Sequence, residues 1–185
     1  MVGKAQALAE ELGALVIAPD TYRGDWTKFI PKAIFLALST PQERVNDDLD
    51  SVVAWASQQP DADITRLVVM GFCYGGGKAI RYSATRRNPA ATVVFYGSPL
   101  TDVDVLARLK GPVLLIYGDR DAQFPPAKVH AFRDALVKAG IDVKQSMFPG
   151  QGHAFFRNMA QVEAGSGPQR QAWSELLAFL RERLF

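Results

Sequence analysis

Gly71-Phe-Cys73-Tyr-Gly75 places a thiol between two glycines, directly after the apolar run Arg66-Leu-Val-Val-Met70. This is the spacing G-x-nucleophile-x-G, in which the nucleophile sits on a strained strand-to-helix turn and the glycines remove clashes that side chains would make. A helix beginning just after Cys73 aims free N–H groups and the positive end of its dipole at the sulfur, which favours thiolate. Outside such a frame a lone cysteine reads as a small buried residue before a tight turn. Here the glycines favour the nucleophile. The chain has 1 Cys, so neither an internal disulfide nor a C-x-x-C redox or zinc pair can form.

A thiol nucleophile needs an imidazole, and the chain offers 2 His, His130 and His153. His130 falls in a helical pattern beside Val129, Phe132 and Arg133, a structural position. His153 lies in Pro149-Gly-Gln-Gly-His153, a glycine-rich loop where the backbone can carry the ring over the carboxyl edge of a sheet. The third group is a carboxylate that accepts the other ring N–H, fixes the tautomer and stabilises imidazolium. Asp119 and Asp121, in Gly118-Asp-Arg-Asp121 after the apolar run Val113 to Tyr117, both qualify, and spacing does not choose between them. The chain order nucleophile, acid, histidine is that of the α/β-hydrolases. Gly71 to Lys78 fails as a phosphate-binding loop, because Phe72 replaces its first glycine and Ala79 its Ser or Thr. No H-E-x-x-H or His/Asp cluster suggests a metal.

The elements that must position these groups follow in alternation. Leu8 and Leu12 mark a helix before Gly13, and Ala14-Leu-Val-Ile-Ala18 reads as a buried strand closed by Pro19-Asp20. Tyr22 to Ser39 lacks periodicity and reads as an irregular cap or loop with one helical turn. Thr40 and Pro41 open a helix with Val45, Leu49, Val52 and Ala56 on one stripe, ending near Pro60. Strands follow at Arg66 to Met70, Thr92 to Tyr96, Val113 to Tyr117 and Asp142 to Phe148. Helices separate them, one running from the cysteine turn to about Arg86 and another from Pro126 to Ala139 with Gly140 as cap. After a Gly165-Ser-Gly-Pro168 loop, Trp173, Leu176, Leu177 and Leu180 give a terminal amphipathic helix. The pattern predicts an α/β fold with a doubly wound, mostly parallel sheet of about five strands flanked by helices, binding ligand at the strands' carboxyl ends.

Composition limits the partners. With 185 residues the chain has the length of one domain. Its 48% hydrophobic and 22% charged residues are the balance of a globular protein. Lys and Arg total 21 against 19 Asp and Glu, without a basic run long enough to track a nucleic-acid backbone. The tightest basic group, Lys78, Arg81, Arg86 and Arg87, reads as a solvated helix face. Met1 to Leu12 lacks a signal-peptide core and no stretch approaches the ~20 apolar residues of a membrane span, so the expected location is cytoplasmic.

Taken together, Gly71-Phe-Cys-Tyr-Gly-Gly76, Gly118-Asp-Arg-Asp121 and Gly150-Gln-Gly-His-Ala-Phe155 resemble the three signatures of the dienelactone hydrolase family. Ala18-Pro-Asp before Tyr22, and Phe124-Pro125, also resemble it, and the likeness covers nearly the whole chain. The resemblance implies a cysteine hydrolase of dienelactones or simpler esters, without a cofactor, and places the triad acid at Asp121. It implies that Cys73 forms an acyl-enzyme, that the Tyr74 N–H serves the oxyanion hole, and that Arg157, with Arg23 a weaker candidate, receives a substrate carboxylate. Full members of the family open with about three further strands, which supply a second oxyanion N–H and an acidic residue near the resting thiol; neither has a counterpart here. The family's third strand would lie between Ala14–Ala18 and Arg66–Met70. The expectation is that the sheet closes that gap or borrows a strand, and that the edge invites homo-oligomers. A weakly active or inactive paralogue serving as a subunit or binding protein, or a fragment of a longer polypeptide, are the rival readings.

Overall fold

The computed structural model describes residues 2–25, 27, 29–165 and 167–185. Helix α1 (Val2–Leu12) buries Leu8 and Leu12, as their spacing predicts. Helix α2 (Ile30–Ser39) precedes α3 (Gln42–Ala56), which follows Pro41. Strand β1 (Val68–Phe72) runs into α4 (Tyr74–Thr85), and β2 (Ala91–Phe95) is followed by the short α5 (Val103–Leu106). Strand β3 (Val113–Gly118), α6 (Pro126–Lys138), β4 (Val143–Phe148), the short α7 (Ala160–Glu163) and α8 (Pro168–Leu184) complete the order.

The sheet is parallel throughout, in the order β1-β2-β3-β4. Its central strands read as unbroken apolar runs because helices cover both faces. Every residue of Ala91–Phe95 and of Val113–Gly118 is buried. Phe132 and Leu136 of α6, Ile80 of α4 and Leu176 of α8 are fully buried in the same core. Parallel strands with helical crossovers put all four carboxyl ends on one rim, where the loops carrying Cys73, Ser98, Asp121 and His153 emerge.

Three expectations need correction. The described sheet has four strands and not five, because Ala14 to Ala18 is extended but pairs with no neighbour. Leu15 is 53% and Ile17 37% exposed, so the segment is not a buried strand. A strand exists by its ladder, and no described strand stands beside this one to supply it. A groove of about 610 Å³ remains instead, lined by Leu15 to Ala18 and by Ser51, Val52 and Trp55 of α3. The stretch Tyr22 to Ser39, which includes Trp26 and Lys28 outside the described residues, holds a full 10-residue helix in α2 and not a single turn. Pro31 sits in its first turn, the position proline tolerates, since no intrahelical N–H is lost there. The loop expected at Gly165 to Pro168 contains Ser166, also outside the described residues, and Pro168 already opens α8. Among the described residues no helix is long and apolar enough to cross a membrane.

Candidate active site

Cys73 stands between β1 and α4 with φ 53° and ψ −118°, a conformation that non-glycine residues rarely adopt. The turn is held by a bond from the Cys73 N–H to the Phe95 carbonyl at 2.9 Å. It can be this tight only because Gly71 has no side chain: a Cβ there would overlap the backbone carbonyl of Gly75. Strain of this kind, of order 1–3 kcal/mol per residue, persists where surrounding structure enforces it. The outcome is an exposed thiol at the amino end of a helix.

His153 reaches that thiol from the loop after β4. Its Nε2 lies 3.0 Å from Cys73 Sγ, and its Nδ1 lies 2.8 Å from Asp121 Oδ2. Ala154, the next residue, also has a positive φ, of 55°. Tyr96 and Phe124 meet the imidazole ring at centroid distances of 5.4 and 5.7 Å and fix its tilt. The buried Tyr96 hydroxyl donates to the Phe156 carbonyl at 2.8 Å, tying the same loop to the core.

The two aspartates that spacing left open have separate tasks. Asp121 is 1% exposed, and its Oδ1 accepts the Gln123 and Phe124 N–H groups at 2.8 and 3.0 Å, leaving Oδ2 for the histidine. Asp119 is exposed and accepts the Gly150 N–H at 2.7 Å, so it clamps the base of the histidine loop without touching the ring. Gly118 lets that loop close in, since a Cβ there would overlap the Gln151 carbonyl oxygen.

The charges follow from these contacts. The hydrogen bond from His153, opposed by burial and helped by the imidazolium charge and the Tyr74 N–H, holds the Cys73 thiol below its ordinary pKa. The bond to Cys73, with that to Asp121, raises His153 to about 9 against the cost of burial. The contacts therefore favour thiolate beside imidazolium, a pairing suited to attack on an electrophilic carbon.

Beside the sulfur lies a cleft of about 220 Å³, lined by Cys73, Tyr74, Gly77, Lys78 and Arg81, by Ala37 and Leu38 of α2, and by Ser98, Gln123 and Phe124. Neither Arg157 nor Arg23 lines this cleft. Arg157 is exposed, and Arg23 is paired with Asp48 at 2.6 Å. His130 is exposed on α6. Lys78 and Arg81 escaped the reading of the sequence as site residues. The available signal was their place one and two turns past Cys73, on the helix face shared with Tyr74 and Gly77.

The sequence matches the dienelactone hydrolase family over residues 4–184. The chain belongs to the dienelactone hydrolase family. Among relatives, a provisionally named carboxymethylenebutenolidase of Escherichia coli is 36% identical over 157 residues, covering 77% of this chain and 58% of the relative. One of Methylorubrum extorquens, named in the same way, is 34% identical, covering 93% and 64%. The chain thus spans less than two-thirds of the length of these relatives. The structure of a provisionally named dienelactone hydrolase from Klebsiella pneumoniae superimposes with TM-score 0.70 at 29% identity, covering 84% of this chain and 68% of that one. A dienelactone hydrolase-like promiscuous phosphotriesterase from metagenomic libraries shares the fold, with TM-score 0.80 over 98% of this chain and 80% of its own, at 19% identity. In this family member, the parallel sheet flanked by helices is the scaffold that carries the cysteine turn and the histidine loop.

Proposed function

We propose that the chain is a single catalytic unit that hydrolyses carboxylic esters or lactones of the dienelactone type, with Cys73 as nucleophile. The Cys73 thiolate adds to the carbonyl carbon, and the oxyanion accepts the Tyr74 N–H beside the nucleophile. Collapse expels the alkoxide, which takes its proton from the His153 imidazolium and leaves an acyl-thioester on Cys73. Neutral His153 then removes a proton from water as it attacks the thioester, and the thiolate departs with the carboxylic acid released. Asp121 holds the Nδ1–H tautomer and balances the imidazolium. Every step uses side chains and a backbone amide, so the scheme calls for no cofactor.

One observation carries this reading: Asp121, His153 and Cys73 stand in line at 2.8 and 3.0 Å on the rim of a parallel sheet. Arg157 and Arg23 are the least supported part of the family-based expectation, since neither lines the cleft. The deciding experiment is hydrolysis of p-nitrophenyl acetate and of a dienelactone by the purified chain and by Cys73→Ala. Turnover lost in the variant, with an acyl adduct on Cys73 seen by mass spectrometry, supports the proposal. No turnover of either substrate, or turnover that survives Cys73→Ala, overturns it.

A second reading, a weakly active paralogue working as a subunit or binding protein, is favoured by the unpaired segment Ala14 to Ala18 and the exposed apolar groove beside it. Size-exclusion chromatography with an iodoacetamide rate for Cys73 separates the two. A fast-reacting thiol in a monomer favours the enzyme, and a sluggish thiol within an oligomer favours the subunit.

A further inference from the structure

Helix α1 buries Leu8 and Leu12, and one turn before Leu8 it also buries Lys4. Residues four apart share a helix face, so the pattern calls for a third apolar side chain at this position. The lysine there is only 6% exposed, a burial that lysines rarely show unless paired. No carboxylate stands in ion-pair range of it among the described residues. Its Nζ donates instead to the Phe156 carbonyl at 3.0 Å, and lies 4.2 Å from the centre of the Phe72 ring and 4.8 Å from that of Phe156. A carbonyl dipole and two ring faces thus hold the charge in place of an anion. Burial keeps the Lys4 pKa below the ordinary lysine value. An apolar side chain of similar length would fill the space without that desolvation, so packing alone does not account for a lysine here.

Its contacts lie on both halves of the active site. Phe72 ends β1 and directly precedes Cys73, and its ring stacks on Phe95 at 4.4 Å. Phe156 lies three residues past His153, its ring 6.1 Å from Phe72 and 6.0 Å from Trp173. The carbonyl that accepts Lys4 also accepts the Tyr96 hydroxyl at 2.8 Å. That carbonyl has two lone pairs, one taken from α1 and one from the residue after β2. The histidine loop is thereby fastened on both sides of the ring, by Asp119 at Gly150 and by Lys4 and Tyr96 at Phe156. Lys4 lines neither the cleft at Cys73 nor the groove beside α3, so its route to the chemistry runs through Phe72 and Phe156.

We propose that Lys4 is a positioning residue for the Cys73–His153 pair: its ammonium, set between the Phe72 ring and the Phe156 carbonyl, draws the histidine loop against the strand that ends at the nucleophile. The effect on turnover rests on the hydrolase reading. The effect on the thiol rests only on the contact between Cys73 and His153.

The test is Lys4→Met, which keeps an unbranched apolar stem and removes the charge and the donor. Two quantities are measured on the full chain, p-nitrophenyl acetate kinetics and the pH dependence of Cys73 alkylation by iodoacetamide. Loosening the loop should lower kcat on the order of 10- to 100-fold with KM within about 3-fold. The alkylation midpoint should move up toward the ordinary thiol range, in the direction expected of His153→Ala. Leu8→Ala, on the same face of α1, is the structural control: it should lower the midpoint of chemical denaturation and leave both quantities unchanged. Lys4→Gln, which keeps a neutral amide donor, carries the same expectations should Lys4→Met not fold. The proposal is overturned if the folded Lys4 variant keeps the wild-type kcat and alkylation profile, or if Leu8→Ala moves the profile as far. A wild type that turns over no ester ends the hydrolase reading, and the alkylation profiles then decide the role of Lys4 by themselves.

Discussion

With His153 raised to about 9 and the Cys73 thiol lowered by the same hydrogen bond, the contact shifts the proton they share toward the imidazole. The reactive window opens as pH rises through the lowered thiol pKa and closes as the imidazolium loses its proton. The pH profile of kcat/KM for an ester should therefore be a bell whose acid limb lies below the ordinary thiol range and whose alkaline limb lies near 9. Iodoacetamide reads the sulfur alone: its rate on Cys73 should begin to rise below the usual thiol range, and His153→Ala should move that rise upward. An unchanged profile in His153→Ala would remove the ion pair from the mechanism. Asp121→Asn should lower kcat by a factor on the order of 10³ to 10⁴, because the wrong tautomer faces the sulfur. Asp119→Asn should cost far less, since it loosens the loop at Gly150 and leaves the ring contact in place. Parallel kinetics on the two variants check the ranking.

The elements matter through how closely they approach. At the carboxyl end of β3, Gly118 lies against the backbone of Gln151, two residues before His153. Gly118→Ala forces that loop outward, and rigid backbone on both sides leaves no side chain to give way. The expected result is a loss of about 1–3 kcal/mol in chemical denaturation together with a large fall in esterase rate. Gly150, with φ 73°, faces open space, so Gly150→Ala should strain the turn by a smaller amount and leave more activity. If both variants behaved alike, the close approach at Gly118 would not be what seats the histidine.

At the scale of the whole molecule, the order β1-β2-β3-β4 leaves β1 as an edge with unpaired backbone groups. Exposed Leu15 and Ile17 of the segment Ala14 to Ala18, and Trp55 of α3, line a groove of about 610 Å³. Exposed apolar surface and an open sheet edge each favour association. Sedimentation velocity should show concentration-dependent self-association, and Leu15→Lys with Ile17→Lys should reduce it while sparing Cys73 alkylation. A wild type that stays monomeric at high concentration would count against assembly through this edge.

The amino-acid sequence by itself determined the parallel alternation of strands and helices and the membership of Cys73 and His153 in one site. Those signals are local: an apolar run stopped by glycine ends a buried strand wherever it occurs, and a glycine-framed thiol or imidazole can sit only on the loop that follows. Tertiary structure decided the rest. Asp119 and Asp121 carry the same side chain two residues apart, and only the turn after β3 fixed which one faces the ring and which clamps Gly150. Ala14 to Ala18 has the composition of a strand, yet a ladder needs a neighbour that composition cannot provide. Lys78, Arg81, Arg86 and Arg87 read as one basic cluster along the chain. They part because Glu43, Asp47 and Asp50 of α3 pair with Arg86 and Arg87, while Lys78 and Arg81 line the cleft that contains Cys73 and meet no carboxylate among the described residues.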